Sequence, residues 1–308
     1  MSELKLPNLL IAGVGKAGTT SLFWYLSQHP EICASSMKEP RYFWDPWKGE
    51  AEQAPLEGYA RCFDHCGSER YIMEGSPSYF RGGSRAIGSI KETLGDTRVI
   101  LMLRDPVERM WSQYRAMKSK LSLPKHVTFD EYVTSCLQVW HEHQPRTPEN
   151  KPYYLLAGGF YIDYVPLWLD AFGERCRIWF FEDLVADTRG LVADICAWLD
   201  IDEQVVDSFR LSVENRSIIY RSGTLQRLAL KANSDRLLRN RRRLKVPLRR
   251  MYYAVNRAPN QERMSVETRS LLQETFAESN VALSLELTRR GYQHLPSWLP
   301  DSSARVSV

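Results

Sequence analysis

The sequence predicts an α/β fold: a three-layer sandwich around a central parallel sheet, followed by a helical, basic C-terminal extension. Three observations predict it. Short, fully apolar runs alternate with helical stretches of 10 to 15 residues, the pattern of βαβ units with both sheet faces covered. The first of these runs leads directly into a glycine-rich turn and then a helix. Beyond Glu214 the strand pattern stops, and lysine and arginine accumulate.

The opening strand is Asn8–Gly13, and Thr20–Ser27 reads as the helix after it, ending near His29-Pro30. A second strand is expected at Tyr71–Glu74 and a third at Arg98–Leu103, each followed by helical sequence. A fourth, Arg177–Phe181, precedes the amphipathic segment Leu191–Leu199. Between them, prolines at 124, 145, 148 and 152 bracket a helix around Thr128–His141, with Glu142–Pro152 as an exposed loop. Ser265–Gly291 reads as one long helix with Ser265 as N-cap and Gly291 as C-cap. The expected organisation is a single domain over 1–308, with its core at about 5–215 and the basic helical extension at about 216–300.

Composition bounds the function. The 308 residues are 44% hydrophobic and 25% charged, which is ordinary globular usage and excludes wholesale disorder. Forty-one basic residues against 37 acids give a net charge of only +4. That charge is unevenly spread: Arg216–Arg257 holds 13 Lys or Arg and a single acid, Asp235. No run of 18 apolar residues is present to cross a membrane, and Leu9–Val14 is too short for a signal peptide. The six cysteines (33, 62, 66, 136, 176, 196) are scattered, and Cys62-x-x-x-Cys66 lacks a second pair at metal spacing. Reduced, mostly buried thiols in a cytoplasmic protein, with no metal, are therefore expected.

Residues 13–22 read Gly-Val-Gly-Lys-Ala-Gly-Thr-Thr-Ser-Leu. Glycines let backbone N–H groups converge, the following helix points its positive end at the turn, and Lys16 adds a full charge, so this is an anion cradle. A nucleoside-triphosphate loop of the Walker A type needs Gly-Lys-Ser/Thr, whereas Ala17 follows the lysine here and the lysine precedes the last glycine. A dinucleotide fingerprint fails too: Gly13-x-Gly15-x-x-Gly18 matches, but no acid ends a second strand about 20 residues on.

The stretch Gly15-Lys16-Ala17-Gly18-Thr19-Thr20-Ser21-Leu22 resembles the 5′-phosphosulfate loop of sulfotransferases that use 3′-phosphoadenosine 5′-phosphosulfate (PAPS). Arg104-Asp-Pro-Val-Glu-Arg-Met-Trp-Ser112-Gln-Tyr is similar to that family's 3′-phosphate motif, which joins a strand end to a helix. Lys38-Glu39-Pro40-Arg-Tyr-Phe and Glu74-Gly-Ser-Pro-Ser-Tyr79 are similar to segments of its heparan-type and bacterial branches. Gly159-Phe-Tyr161 and Phe181-Glu182-Asp183-Leu184 also look like family landmarks, so the resemblance covers roughly 8–225. It implies a P-loop-like fold and a transferase that moves a sulfuryl group from PAPS to a hydroxyl, or less readily an amine, with no metal.

The roles follow from the same resemblance. Lys16 would neutralise the leaving phosphate, with Gly15, Ala17, Gly18, Thr19, Thr20 and Ser21 cradling the 5′-phosphate. Arg104 and Ser112 would take the 3′-phosphate, joined by Arg221 and Gly223 of Arg221-Ser-Gly223, a weaker match. Glu39 stands where the glutamate branch places its base, and burial beside Tyr42, Phe43 and Trp44 is expected to raise its pKa. The structural alternative is a glutamate merely paired with Lys38 or Arg41. Heparan-type enzymes carry a lysine just after the second-strand glutamate, and Gly75 stands there, against a highly anionic acceptor. None of the six histidines falls in a motif, and aromatic residues (Trp24, Trp44, Trp47, Tyr79, Trp111) suggest an apolar or sugar-stacking cleft.

The basic segment 216–257 interleaves leucines with cations. That composition suits an anionic membrane surface, at the inner face for a cytoplasmic enzyme, or an acidic carrier protein. No nucleic-acid module surrounds it, and a solvated face that draws in a polyanionic donor is the plainer reading. Two other functions compete. A nucleotide kinase or NTPase would use Asp105 as its Mg²⁺ acid, and a non-catalytic protein would keep the nucleotide site only to recruit partners.

Overall fold

A computed structural model describes residues 4–44, 54–145, 147–212, 219–234, 252, 255–258 and 262–300. Five short apolar strands form one parallel sheet: β1 (Leu9–Gly13), β2 (Ile32–Ala34), β3 (Tyr71–Glu74), β4 (Arg98–Leu103) and β5 (Cys176–Phe180), in the order β2-β3-β1-β4-β5. Every residue of β1 is buried, as expected for the middle strand of a sheet covered on both faces. Registers such as Leu10 with Glu74 on one side and Val99 on the other align the strands. All five strands therefore end on one rim, where loops of open α/β sheets bind ligands.

Ten α-helices lie among the described residues. They are α1 (Thr19–Leu26), α2 (Leu56–Ala60), α3 (Gly83–Leu94), α4 (Pro106–Ser119), α5 (Phe129–His141), α6 (Val165–Phe172), α7 (Phe181–Ala186), α8 (Thr188–Trp198), α9 (Gly223–Ser234) and α10 (Val266–Arg289). The start of α5 has a clear chemical cause: Thr128 Oγ1 accepts from Glu131 N, and Glu131 Oε2 accepts from Thr128 N at 2.7 Å, a reciprocal capping box. No described helix is long and apolar enough to cross a membrane.

The chain divides into two compact units. The first comprises Met1–Asp105, Phe160–Asn215 and Ala277–Val308, and contains the sheet. Its core runs through β1, β3 and β4 into α1, α6 and α8, with Leu9, Ile11, Phe23, Leu101 and Trp168 fully buried. The second comprises Pro106–Gly159 and Arg216–Phe276. It is ordered around Tyr114, Phe129 and Tyr132, whose rings pack at centroid distances of 5.3 and 5.4 Å.

Three features depart from the sequence reading. Strand β2 is absent from it, because Ile-Cys-Ala is too short a run to stand out after His29-Pro30. A two-residue antiparallel pair, β6 (Ile219–Tyr220) with β7 (Arg257–Ala258), interrupts the expected, mostly helical extension. Cys33 and Cys66 form a disulfide, correcting the expectation of uniformly reduced thiols; Cys62, Cys136, Cys176 and Cys196 are free and buried. The bridge ties the end of β2 to the segment after α2, across a separation of 33 residues that no local spacing announces.

Candidate active site

The phosphate loop follows β1. Lys16 and Gly18 both adopt left-handed backbone (φ 77° and 78°), and alternating hand turns successive N–H groups to one side, the nest that receives anions. A Cβ on Gly18 would lie 2.6 Å from Leu184 Cδ2, so both conformation and space demand glycine there. A Cβ on Gly15 would meet nothing within 4 Å, leaving open room over the loop for a phosphate group. Helix α1 begins at Thr19 with no side-chain cap and no acid in its first turn, so its positive end is not neutralised from within. Ala17, Thr19 and Ser21 are buried beneath, and Gly15, Lys16 and Thr20 are half-buried at the surface. These residues fit the phosphate end of a nucleotide.

Arg104 leaves the end of β4 and returns to this loop. Its Nη1 donates to the Lys16 carbonyl oxygen at 3.1 Å, and its guanidinium lies 4.3 Å from the Phe181 ring centroid. The Tyr161 hydroxyl donates to the Arg104 carbonyl at 2.7 Å, and Asp105 N donates to Glu182 Oε1 at 3.1 Å. The Phe181–Leu184 segment is thus the floor on which both the phosphate loop and the β4 end rest. For Arg104→Ala we expect affinity for 3′,5′-ADP to fall roughly tenfold or more, the scale of one charge-assisted hydrogen bond, with that for 5′-ADP little changed. Titration calorimetry with both ligands checks this; equal losses would leave Arg104 only the task of holding the Lys16 carbonyl.

Glu39 lies in the loop after β2, with left-handed φ values of 62° at Glu39 and 53° at Arg41 around Pro40. Non-glycine residues held this way indicate strain imposed by their surroundings. Lys38 Nζ donates to Glu39 Oε1 at 2.9 Å, and Arg41 Nη2 donates to Oε2 at 2.8 Å. Burial alone would raise the carboxyl's pKa, but the two cations outweigh it and hold it below the ordinary range. The expected upward shift is therefore corrected: the paired arrangement is the one present, and Glu39 is ionised at neutrality. Lys38 also stands over the Phe23 ring, 5.9 Å from its centroid. That ring fills the space beside Gly75, where a Cβ would meet Phe23 Cδ2 at 3.0 Å.

The sequence reading marked 74–79 only as a family segment and missed its chemistry. Glu74, at the carboxyl end of β3, is fully buried. Its Oε2 accepts from the Tyr59 hydroxyl at 2.7 Å and the Tyr79 hydroxyl at 3.0 Å, and burial pushes its pKa up to about 7. The available signal was an acid closing an otherwise apolar strand, Tyr-Ile-Met-Glu.

Other predicted site residues lie in the second unit. Ser112 is half-buried on α4. Of its motif neighbours, Arg109 is buried and donates to the Leu155 carbonyl at 3.0 Å, while Glu108 pairs with Arg269 at 2.7 Å. Arg221 is exposed and Gly223 opens α9; the turn between them is fixed by Asn256, which accepts from Arg221 N at 2.8 Å and Ser222 N at 2.7 Å. Of the basic segment 216–257, residues 216–218, 235–251, 253 and 254 lie outside the described residues, as does Trp47. A cavity of about 910 Å³ runs along β5, lined in part by Arg177, Trp179, Asp194 and Trp198, and includes none of the predicted site residues.

A strand–loop–helix anion cradle at the rim of a parallel sheet, with a lysine inside the loop and an arginine returning to it, defines a nucleotide-phosphate-binding α/β protein. Residues 47–204 match the sulfotransferase family model, and the chain belongs to that family. It is 35% identical over 137 residues to the membrane-associated sulfotransferase kil1 of Dictyostelium discoideum, covering 42% of this chain and 28% of that protein. It is 26% identical over 206 residues to human heparan sulfate glucosamine 3-O-sulfotransferase 3B1, covering 66% of this chain and 48% of that protein. The chain thus spans less than half the length of these curated relatives. A sulfotransferase from Alicyclobacillus acidocaldarius shares the fold, with a TM-score of 0.65 over 96% of this chain and 99% of that one at 22% identity.

Proposed function

We propose that the protein transfers a sulfuryl group from PAPS to a hydroxyl of a small-molecule, glycan, glycolipid or carrier-bound acceptor, working as one sulfotransferase domain. The observation that carries this reading is the phosphate loop itself. Its lysine is itself one of two left-handed residues and precedes the last glycine instead of following it, out of register for Mg²⁺-nucleotide chemistry, and the Arg104 guanidinium is bonded to that lysine's carbonyl. PAPS supplies an activated sulfuryl group on a phosphate that leaves as a dianion. Amides of residues 16–20 hold that phosphate, and Lys16 neutralises charge as it develops, a task for a preorganised cation. Arg104 selects the 3′-phosphate, and the sequence resemblance gives the same role to Ser112, Arg221 and Gly223. Glu39, ionised and held in a fixed loop, accepts the proton of the acceptor hydroxyl. An acceptor that draws Lys38 or Arg41 away from the carboxylate would raise its proton affinity as transfer begins.

Gly75 and the Phe23 ring beside it favour an acceptor less anionic than heparan. The basic segment 216–257 suits an anionic membrane surface or an acidic carrier, and similarity to a membrane-associated relative agrees with the former. Thermal unfolding tests the donor class, since a ligand that binds only the native state raises the melting temperature. A shift of several degrees with 3′,5′-ADP in EDTA is expected, with little from ATP. A Mg²⁺-dependent shift with ATP instead would overturn the reading in favour of a kinase or NTPase, and no shift with any nucleotide would favour a non-catalytic protein.

A further inference from the structure

We infer that Tyr79, oriented by the buried carboxyl of Glu74, is a positioning residue that clamps the 39–44 loop and so holds Glu39 in place for transfer. This rests on the reading of Glu39 as the base. The geometry is a relay of hydrogen bonds with a fixed polarity. The Tyr79 oxygen accepts from Tyr42 N at 2.9 Å and from Phe43 N at 3.4 Å. Its own proton is donated to Glu74 Oε2 at 3.0 Å, which turns its lone pairs to the loop.

Ser76 repeats the arrangement one step away. Its Oγ accepts from Arg41 N at 3.1 Å, and its hydroxyl helps to stabilise the Glu74 carboxylate. Three consecutive amides of the base-bearing loop are thus received by two hydroxyls, those of Ser76 and Tyr79. Ser78 Oγ adds a bond to the Trp44 carbonyl at 3.4 Å.

The surroundings make the relay stiff. Tyr79 and Glu74 are each fully buried. The Tyr59 ring, whose hydroxyl also donates to Glu74, stacks on Tyr42 at 4.5 Å between centroids, and Phe43 packs edgewise on Tyr59 and Tyr79 at 5.4 and 5.6 Å. An unmade hydrogen bond in such a site costs its full desolvation, so the loop has one favourable seat. The left-handed backbone at Glu39 and Arg41 needs an external hold of this kind. Burying a carboxyl is costly in itself, and a merely structural core would place an apolar residue at position 74.

Tyr79→Phe removes one oxygen and nothing else. We expect kcat to fall roughly tenfold, with the affinity for 3′,5′-ADP within twofold of wild type. Amide hydrogen exchange in a 40–44 peptide should quicken about tenfold, while exchange across 13–20 stays unchanged. Glu74→Met, of similar length but without an acceptor, should do the same. The double variant should lose no more than the larger single loss, because both act through one relay. Wild-type exchange in Tyr79→Phe, wild-type kcat despite faster exchange, or losses that add in the double variant would each overturn the inference. If Glu74→Met fails to fold, Tyr79→Phe decides alone. An active Glu39→Gln protein would remove Glu39 from the chemistry, while loop exchange in Tyr79→Phe still reads the clamp independently.

Discussion

Replacing Lys16 with alanine is expected to lower turnover by on the order of 10²-fold or more, while affinity for 3′,5′-ADP changes far less. The asymmetry follows from where the charge sits. On the proposed reading the 5′-phosphate would be received by backbone amides that the substitution leaves in place, and Gly18 and the Arg104 bond to the residue 16 carbonyl would still shape the loop. The ammonium matters most when negative charge grows on the departing phosphate, and binding that strengthens only in the transition state is what accelerates a reaction. Single-turnover kinetics with saturating donor, beside calorimetry with 3′,5′-ADP, separates the two effects. Unchanged turnover would remove Lys16 from the chemistry. A parallel loss in both would reduce it to a binding residue.

Glu39→Gln should abolish transfer almost completely, by about 10²- to 10⁴-fold for a lost general base, with the 3′,5′-ADP thermal shift intact. The amide keeps the side chain's shape but accepts no proton, and it loses its ion pairs with Lys38 and Arg41 as well. The pH profile supplies a sharper test. A carboxyl held down by two cations stays ionised through neutrality, so the acid limb of kcat/KM should lie below the ordinary glutamate range, roughly 4.3. An acid limb near 7 would instead hand the role of base to Glu74, whose burial places it at about 7. A fully active Glu39→Gln protein would leave the histidines to be tested next.

Much of the frame was legible because parallel strands covered on both faces must be apolar throughout, and the runs at 9–13, 71–74, 98–103 and 176–180 stand out for that reason. The phosphate loop was legible because glycine, lysine and hydroxyl residues must follow one another closely to surround an anion. What escaped was long-range. The Cys33–Cys66 bridge and strand β2 depend on a fold that brings residues 33 and 66 together. Glu74 gathers hydroxyls from residues 59, 76 and 79, and only the 76 and 79 positions were near enough in sequence to be noticed as a group. For Glu39 the sequence offers both burial beside Tyr42 and Phe43 and pairing with Lys38 or Arg41, and only the folded geometry shows that the two cations outweigh the burial.

The order β2-β3-β1-β4-β5 separates two jobs along one rim. On the proposed reading, the loops after β4 and β5, which carry Arg104 and Phe181, would serve the nucleotide, while the side of β2 and β3 carries Glu39 and the 74–79 relay. β1, in the middle, contributes the loop common to both. Such a layout is modular. If those roles hold, residues 35–44 and 74–80 could be rewritten for a new acceptor while the donor half, anchored on a separate pair of strands, would keep its grip on the same sulfate carrier.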